Sequence, residues 1–451
     1  LNRTRVRELL RPHTRDELAE IIRSATQKGL PISVSGCRHS MGSQQFATDS
    51  ICIDTRELDH VVSFNREHGL LEAEAGIQWP KLIRAYLDAQ AGETKQWGIA
   101  QKQTGADTFT LGGSLSSNVH GRGLRMKPII SNIESFSLIT VDGKSIRCSR
   151  EENSELFRLA IGGYGLFGLI DTVTVRLVPR QKLKRVVEII RANDLPKRFE
   201  ERIAQKFLYG DFQFSVDEKS PDYLQRGVFS CYEPIGNDEP IVARKELRND
   251  DWLELLRLAY TDREKAFKRY SDYYLSTNGQ TYWSDTNQLS PYLSNYAQKV
   301  RDRIGGEESS LIISEIYVPR PDLPVFLTQA ADLLRSNHTT VIYGTVRLIE
   351  KDDESFLAWA RESYACIIFN LLTFHTPSAI EGSARSFRGL IDLAIARGGS
   401  YYLTYHKFAK REQVLACYPQ FKEFLNFKRK YDPAERFQSD WYRHYRKLFA
   451  T

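Results

Sequence analysis

At 451 residues with 41% hydrophobic content, the chain has enough apolar material for a large core and is expected to divide into two or more domains. No apolar run reaches the roughly 18 residues that cross a bilayer, so no integral membrane segment is expected, and the opening LNRTRVRELLRPHT reads as neither a signal nor a transit peptide. A net charge of +6, with Lys and Arg interspersed among Asp and Glu, excludes a nucleic-acid footprint and suits an anionic ligand better.

In chain order, Thr14 and Glu17 form a capping-box pattern ahead of Leu18, Ile21, Ile22 and Ala25, which predicts a helix. Strands are expected at Pro31–Val34, Ser50–Asp54, Val61–Phe64 and Leu70–Ala75, and a second helix over Trp79–Gln90. The stretch PISVSGCRHSMGSQ, from Pro31, leaves a short strand at Gly36 and continues through small and polar residues without a helical period. Such a turn has backbone N–H groups to spare, and Gly36 and Gly42 let it approach a bulky anion. Taken alone, it reads more simply as a surface turn with a solvated His39. The second segment, GADTFTLGGSLSSNVHGRG over Gly105–Gly123, changes that balance: it repeats the Gly- and hydroxyl-rich pattern with a second histidine, His120. Two phosphate-type cradles call for a large, two-ended ligand.

A hairpin is predicted around Asp142-Gly143, followed by a short helix in SELFRLA, a Gly-rich turn, and a strand in which Val173, Val175 and Leu177 alternate with polar residues until Pro179. Composition shifts at Arg180–Arg185, where a domain boundary is expected. Beyond it, FLYGDFQFSV, LIISEIYVP, VIYGTVRLI and YACIIFNLLTF read as strands. DWLELLRLAYTDREKAFKRYSDYYL and PDLPVFLTQAADLLRS read as helices, so an antiparallel sheet with helices is expected. Glu315, Arg347 and Asn370 interrupt apolar strands. Two readings stand: a Glu315–Arg347 salt bridge inside the sheet layer, or two groups pointing into a pocket. The six cysteines are widely scattered with no metal-ligand spacing and read as free thiols, favouring a reducing, cytoplasmic setting.

The ordered motifs SGCRHS, TLGGSLSSNVHG, the VDG hairpin and ELFRLAIGGYGLFGLI resemble the PCMH-type FAD-binding domain of the vanillyl-alcohol oxidase flavoprotein superfamily, over residues 10–180 with a further match at the C-terminus. The resemblance is nearest to the alditol and aldonolactone oxidases and the decaprenylphosphoryl-ribose oxidases. It implies an α+β fold: a two-subdomain FAD-binding domain over 1–180, a substrate-binding cap over 181–400 with an antiparallel sheet flanked by helices, and a segment 401–451 that closes the active site and returns to the FAD domain. FAD would be held by Ser35, Gly36, Cys37, Arg38, His39, Ser40 and Met41 of the first loop. Gly105, Thr108, Gly112, Gly113, Ser116, Asn118, His120 and Gly121 of the second segment would complete the cradle, with Ile170 meeting the adenine.

His39 occupies the slot that carries a covalently flavin-linked histidine in alditol and aldonolactone oxidases, whereas the ribose oxidases place arginine there and bind FAD without a bond. Thr108 stands where doubly linked members have cysteine, so a second link is not expected. The catalytic candidates are His120, Glu315, Arg347, Tyr405 and Lys407. Tyr405 falls in the slot of a family lysine near the flavin N1, leaving either Lys407 from a shifted register or Tyr405 and His406 to serve. The implied function is an FAD-dependent oxidoreductase that oxidises a hydroxyl-bearing carbon of a polyol, sugar or sugar derivative, with dioxygen or another acceptor, as a monomer or homo-oligomer. The alternatives are C–N or C=C chemistry on the same cofactor, or a non-redox binding protein.

Overall fold

Two small sheets form the N-terminal part of the computed structural model, which describes residues 1–242, 245–290 and 296–450. Strands β1 (Glu8–Leu10), β2 (Ile32–Ser35) and β3 (Ile51–Asp54) make a parallel sheet in the order β1-β3-β2. The helix Arg15–Gln27 packs Leu18, Ile22 and Ala25 against it. Thr14 caps that helix by accepting the Glu17 N–H at 3.2 Å, while the Glu17 carboxylate takes the His13 N–H at 2.8 Å, one residue earlier than a standard capping box.

Strands β4 (Val61–Asn65), β5 (Leu70–Glu74), β7 (Ile133–Ile139), β8 (Ser145–Ser149) and β9 (Leu169–Arg176) form an antiparallel sheet in the order β4-β5-β9-β7-β8. The predicted hairpin is present: Gly143, at φ +75°, returns the chain between β7 and β8. The two-residue strands β6 (Trp97–Gly98) and β10 (Val178–Pro179) pair with each other, and extended structure ends at Pro179 as expected, although β9 itself stops at Arg176.

From β11 (Lys182–Arg191) onward, one eight-stranded antiparallel sheet dominates. It adds β12 (Tyr209–Phe214), β13 (Arg226–Ile235), β14 (Thr281–Trp283), β15 (Ser309–Pro319), β16 (Val341–Ile349), β17 (Tyr364–Phe374) and β18 (Ser400–Tyr401), in the order β14-β11-β13-β12-β16-β17-β15-β18. The observed mixture of helices and antiparallel sheets is α+β. β17 is almost wholly apolar because both its faces are covered: one by the helix Pro377–Ile395, the other by the cavity described below. The long helical run after residue 248 is two helices, Asn249–Thr261 and Arg263–Ser276. The chain breaks at Asp262, whose carboxylate caps the second by accepting the Lys265 N–H.

The chain end returns to the first sheet. Ile32 N–H donates to Arg436 O at 2.6 Å, Gln438 N–H donates to Ile32 O at 2.7 Å, and Phe437 joins the core under the first helix. Asp432 organises that return: its carboxylate is buried, pairs with buried Lys428, and accepts the N–H groups of Arg436 and Phe437. None of the six cysteines is disulfide-bonded, and no helix among the described residues is long and apolar enough to cross a membrane.

Candidate functional site

β2 and β3 end side by side, with Ser35 opposite Asp54. At that edge the fully buried Asp54 carboxylate gathers Arg11 at 3.4 Å, Arg38 at 3.2 Å and Arg56 at 2.6 Å. Burial opposes its charge, yet the Arg56 and Arg38 guanidinium groups hold its pKa below the usual carboxylate range. Arg38 is therefore already engaged by a carboxylate, and at φ +62° it sits in the left-handed region that single non-glycine residues rarely visit. The loop it anchors offers chiefly N–H dipoles and small side chains.

The two Gly-rich turns meet. A Cβ at Gly36 would stand 2.2 Å from Thr110 Oγ1, and one at Gly112 would stand 2.8 Å from the Ala75 Cβ, so glycine is required at both positions by close approach. Thr110 accepts the Gly113 N–H at 3.2 Å, starting the short helix Leu111–Ser116. A cavity of about 770 Å³ begins between these turns and ends under the eight-stranded sheet. Gly36, Cys37, Arg38, His39, Ser40 and Met41 line it from the first loop. Gly105, Gly112, Gly113, Ser116 and His120 line it from the second, with Ile170 alongside.

Four of the sequence-selected residues stand behind the wall. Ser35 Oγ faces Cys52 Sγ at 3.6 Å, and Thr108 Oγ1 lies 2.9 Å from His39 Nε2. Asn118 Nδ2 donates to Asp352 Oδ2 at 2.8 Å, and Gly121 packs against the Lys102 carbonyl. His39 stacks on Phe109 with ring centres 4.3 Å apart, and burial lowers its pKa, so it is a neutral imidazole at neutral pH.

His120 leaves the second turn into a fully buried cluster. Its Nδ1 lies 3.0 Å from the Gly121 carbonyl and its Nε2 lies 2.7 Å from Glu315 Oε1. A carbonyl only accepts, so Nδ1 carries a hydrogen. Glu315 Oε1 also accepts the Tyr317 hydroxyl at 2.5 Å and the Cys366 thiol at 3.3 Å, and its Oε2 accepts the Tyr405 hydroxyl at 2.9 Å. The Nε2–Oε1 contact then requires one proton between the two groups, and the pair as a whole is neutral. Burial alone would raise the Glu315 pKa, but His120, the Tyr317 hydroxyl and nearby Arg347 bring it down to about 2, which places the proton on the imidazole. Burial and the adjacent carboxylate push the Tyr405 phenol well above its ordinary value, so Tyr405 is a donor to Glu315.

The sheet register explains the rest. Arg347 is opposite Cys366, which is opposite Tyr317, while Ile368 is opposite Glu315 and Asn370 lies between Ile313 and Tyr343. Side chains directly across a sheet share a face, so Glu315, Arg347 and Asn370 all face the cavity and line it. Glu315 pairs with His120; no Glu315–Arg347 salt bridge forms. Lys407 goes elsewhere: its Nζ reaches Ser43 Oγ at 3.4 Å and it does not line the cavity. Thus Tyr405, not Lys407, occupies the inner wall. His406 is buried against Phe408, which lowers its pKa to about 4.

Several lining residues escaped sequence reading. Asp211 and Gln213 of β12, and Trp252, Leu256, Tyr270 and Tyr274 of the two helices over the sheet, line the cap end of the cavity. Their alternation or helical spacing was visible, but which face would meet a ligand was not.

The donor set fits FAD. The cradle is glycine-bounded and its lining cation, Arg38, shares Asp54 with Arg11 and Arg56, which suits a diphosphate met by backbone dipoles beside an excess of positive charge. Gln45 Oε1, on the cavity wall, is buried without a hydrogen-bond partner among the described residues. The volume lies within the range of ligand sites, about 300–1,000 Å³. Comparison with known proteins agrees: residues 7–149 match the family described as FAD binding domain. Cytokinin dehydrogenase 9 of Oryza sativa subsp. japonica is 30% identical over 196 residues, 40% of this chain and 35% of that protein. L-gulonolactone oxidase of Scyliorhinus torazame is 29% identical over 169 residues, 37% of this chain and 36% of that protein. With these relatives the match spans little more than a third of their length. L-gulono-1,4-lactone dehydrogenase of Mycobacterium tuberculosis is similar throughout, 22% identical over 96% of this chain and 95% of that protein. The chain carries a PCMH-type FAD-binding domain over residues 7–149, and in that domain and in these relatives it is similar to the vanillyl-alcohol oxidase superfamily.

Proposed function

We propose that the protein is an FAD-dependent oxidoreductase that oxidises a hydroxyl-bearing carbon of a polyol, sugar or sugar derivative. In this reading residues 1–180 hold FAD, 181–400 form the substrate-binding cap and 401–451 close the site. The observation that carries the substrate class is the cap wall. Gln213 Oε1, Ser290 Oγ and Arg347 Nε are buried on cavity-lining residues without hydrogen-bond partners among the described residues, and all three stand in the same chamber as Glu315. Unpaired buried polar atoms are costly unless a ligand satisfies them, and a hydroxylated substrate supplies the matching donors and acceptors.

FAD, when bound, supplies the two-electron acceptor for a hydride. The chain's own residues do the rest. Glu315 is the group that takes the substrate's hydroxyl proton, while His120, which already carries the shared proton, holds its Oε1 in place. Tyr317 and Tyr405 fix the carboxylate from both oxygens, so its lone pairs point to set directions. The helices bearing Trp252 and Tyr274 contribute the outer wall of the chamber. His39 is the residue proposed for a covalent link to the cofactor. Dioxygen or another electron acceptor would close the cycle, and six unbonded cysteines support a reducing, cytoplasmic setting.

The test is anaerobic mixing of the purified protein with panels of polyols, sugars and aldonolactones, and separately with amines. Bleaching of the flavin band by the hydroxylated panel supports the reading. Bleaching by amines alone, or a colourless protein, overturns it.

A further inference from the structure

The cap wall carries a charge that its surroundings do not balance. Arg347 is 7% exposed, lines the cavity, and makes no hydrogen bond or ion pair with any described residue; its Nε is buried and unpartnered. Its charged neighbours pair with one another without it, save buried Arg185, which is bonded to Tyr232 and Thr277 and does not line the cavity. Lys102 Nζ meets Asp107 at 2.7 Å, and Arg122 meets Asp211 at 3.6 Å. The His120–Glu315 pair is neutral because it shares one proton. At the far end Arg38 shares Asp54 with Arg11 and Arg56, so the excess of positive charge there belongs to the diphosphate cradle and not to the inner chamber. The positions outside the description, including Ala243-Arg244 and the run PYLSN at 291–295, contain no Asp or Glu. The inner chamber therefore holds one net positive charge, on a guanidinium one cross-strand row from Glu315.

A buried unpaired cation is expensive and persists where a ligand completes it. We propose that the substrate brings the missing anion: a single carboxylate, received by Arg347, on a molecule that also carries the hydroxyl to be oxidised. This rests on the hydroxyl-oxidising reading above and narrows it to sugar acids and related hydroxy acids. A carboxylate matches both the charge and the forked donor geometry of one guanidinium. A phosphate monoester, at about −1.5 to −2, would leave the chamber negative.

The test is titration of the oxidised holoenzyme with matched pairs, D-glucuronate against D-glucose and benzoate against benzyl alcohol, read as perturbation of the flavin spectrum. Wild type is expected to bind each acid about 30-fold or more tighter than its neutral partner. Arg347→Met should erase that preference, and Arg347→Lys should restore part of it. Equal affinity for acid and neutral partner in wild type, which needs no variant to fold, overturns the proposal, as does a preference that survives Arg347→Met. A lowered flavin midpoint potential in ligand-free Arg347→Met, with the acid preference intact, also overturns it and assigns the charge to the reduced cofactor. If only the benzoate pair binds, with Arg347-dependent preference, the anion site stands and the sugar reading falls.

Discussion

His120 and Glu315, 195 positions apart in the chain, meet through a 2.7 Å contact between Nε2 and Oε1. Because the Gly121 carbonyl fixes a hydrogen on Nδ1, this contact joins a cradle for a dinucleotide to a proton-handling group under the cap. In the proposed reaction this pair meets the substrate hydroxyl, which would tie the binding half of the molecule to its chemical half.

The pair's charge sets an acid-side limit on stability. Glu315 is ordinarily a group titrating near 4.5, and here it is held at about 2. A carboxylate with a depressed folded pKa stabilises the fold above its unfolded value and loses that contribution as pH falls toward the folded one. Wild type should lose stability between pH 4.5 and 2, and Glu315→Gln should flatten that part of the profile, as measured by urea unfolding across the range.

His406 works in the opposite sense. Burial lowers its pKa from 6.5 to about 4, so the unfolded chain takes up a proton that the folded one refuses. Its destabilisation is absent above pH 6.5 and grows as pH falls from 6.5 to 4. In His406→Gln the melting temperature should vary less over that window than in wild type.

Gly36 tests the cradle. Its Cβ position is 2.2 Å from Thr110 Oγ1, so Gly36→Ala must displace the residue that starts the Leu111–Ser116 helix. The expected outcome is a folded protein with strongly reduced flavin content, measured as the ratio of flavin to protein absorbance. Full flavin content in Gly36→Ala would show that the two turns do not grip the cofactor together.

Asp54 tests the anchor of the same loop. Replacing it with Asn leaves Arg11, Arg38 and Arg56 without their common buried partner. The guanidinium groups left behind are each more than a third exposed and can rehydrate, so Asp54→Asn should lower the unfolding free energy by about 1–3 kcal/mol, the cost of losing charged hydrogen bonds, and weaken flavin retention as Arg38 is released.

Much of this was legible in the sequence because it is local. The Thr14 cap, the Asp142-Gly143 hairpin and the glycine-bounded loops follow from residue type and spacing alone. Glu315, Arg347 and Asn370 stood out because a polar residue in an apolar strand needs a reason, and β15, β16 and β17 being neighbours brought all three to one face. Partner choice was not legible. Nothing near Glu315 in sequence says that it meets His120 instead of Arg347, and nothing near Lys407 says that Ser43 draws it away from the cavity. β11 and β13 were missed because their apolar residues are interleaved with charged or polar ones that only the finished sheet explains, and the break at Asp262 was hidden inside one continuous helical period.

The most direct measurement is anaerobic stopped-flow reduction of the flavin by a reactive hydroxylated substrate, comparing wild type with Glu315→Gln at equal flavin content. The expected result is an unchanged flavin spectrum and a reduction rate about 10²- to 10⁴-fold lower, the range for loss of a positioned proton acceptor. Reduction of Glu315→Gln at the wild-type rate would contradict the assignment of Glu315 and His120 to the substrate's proton.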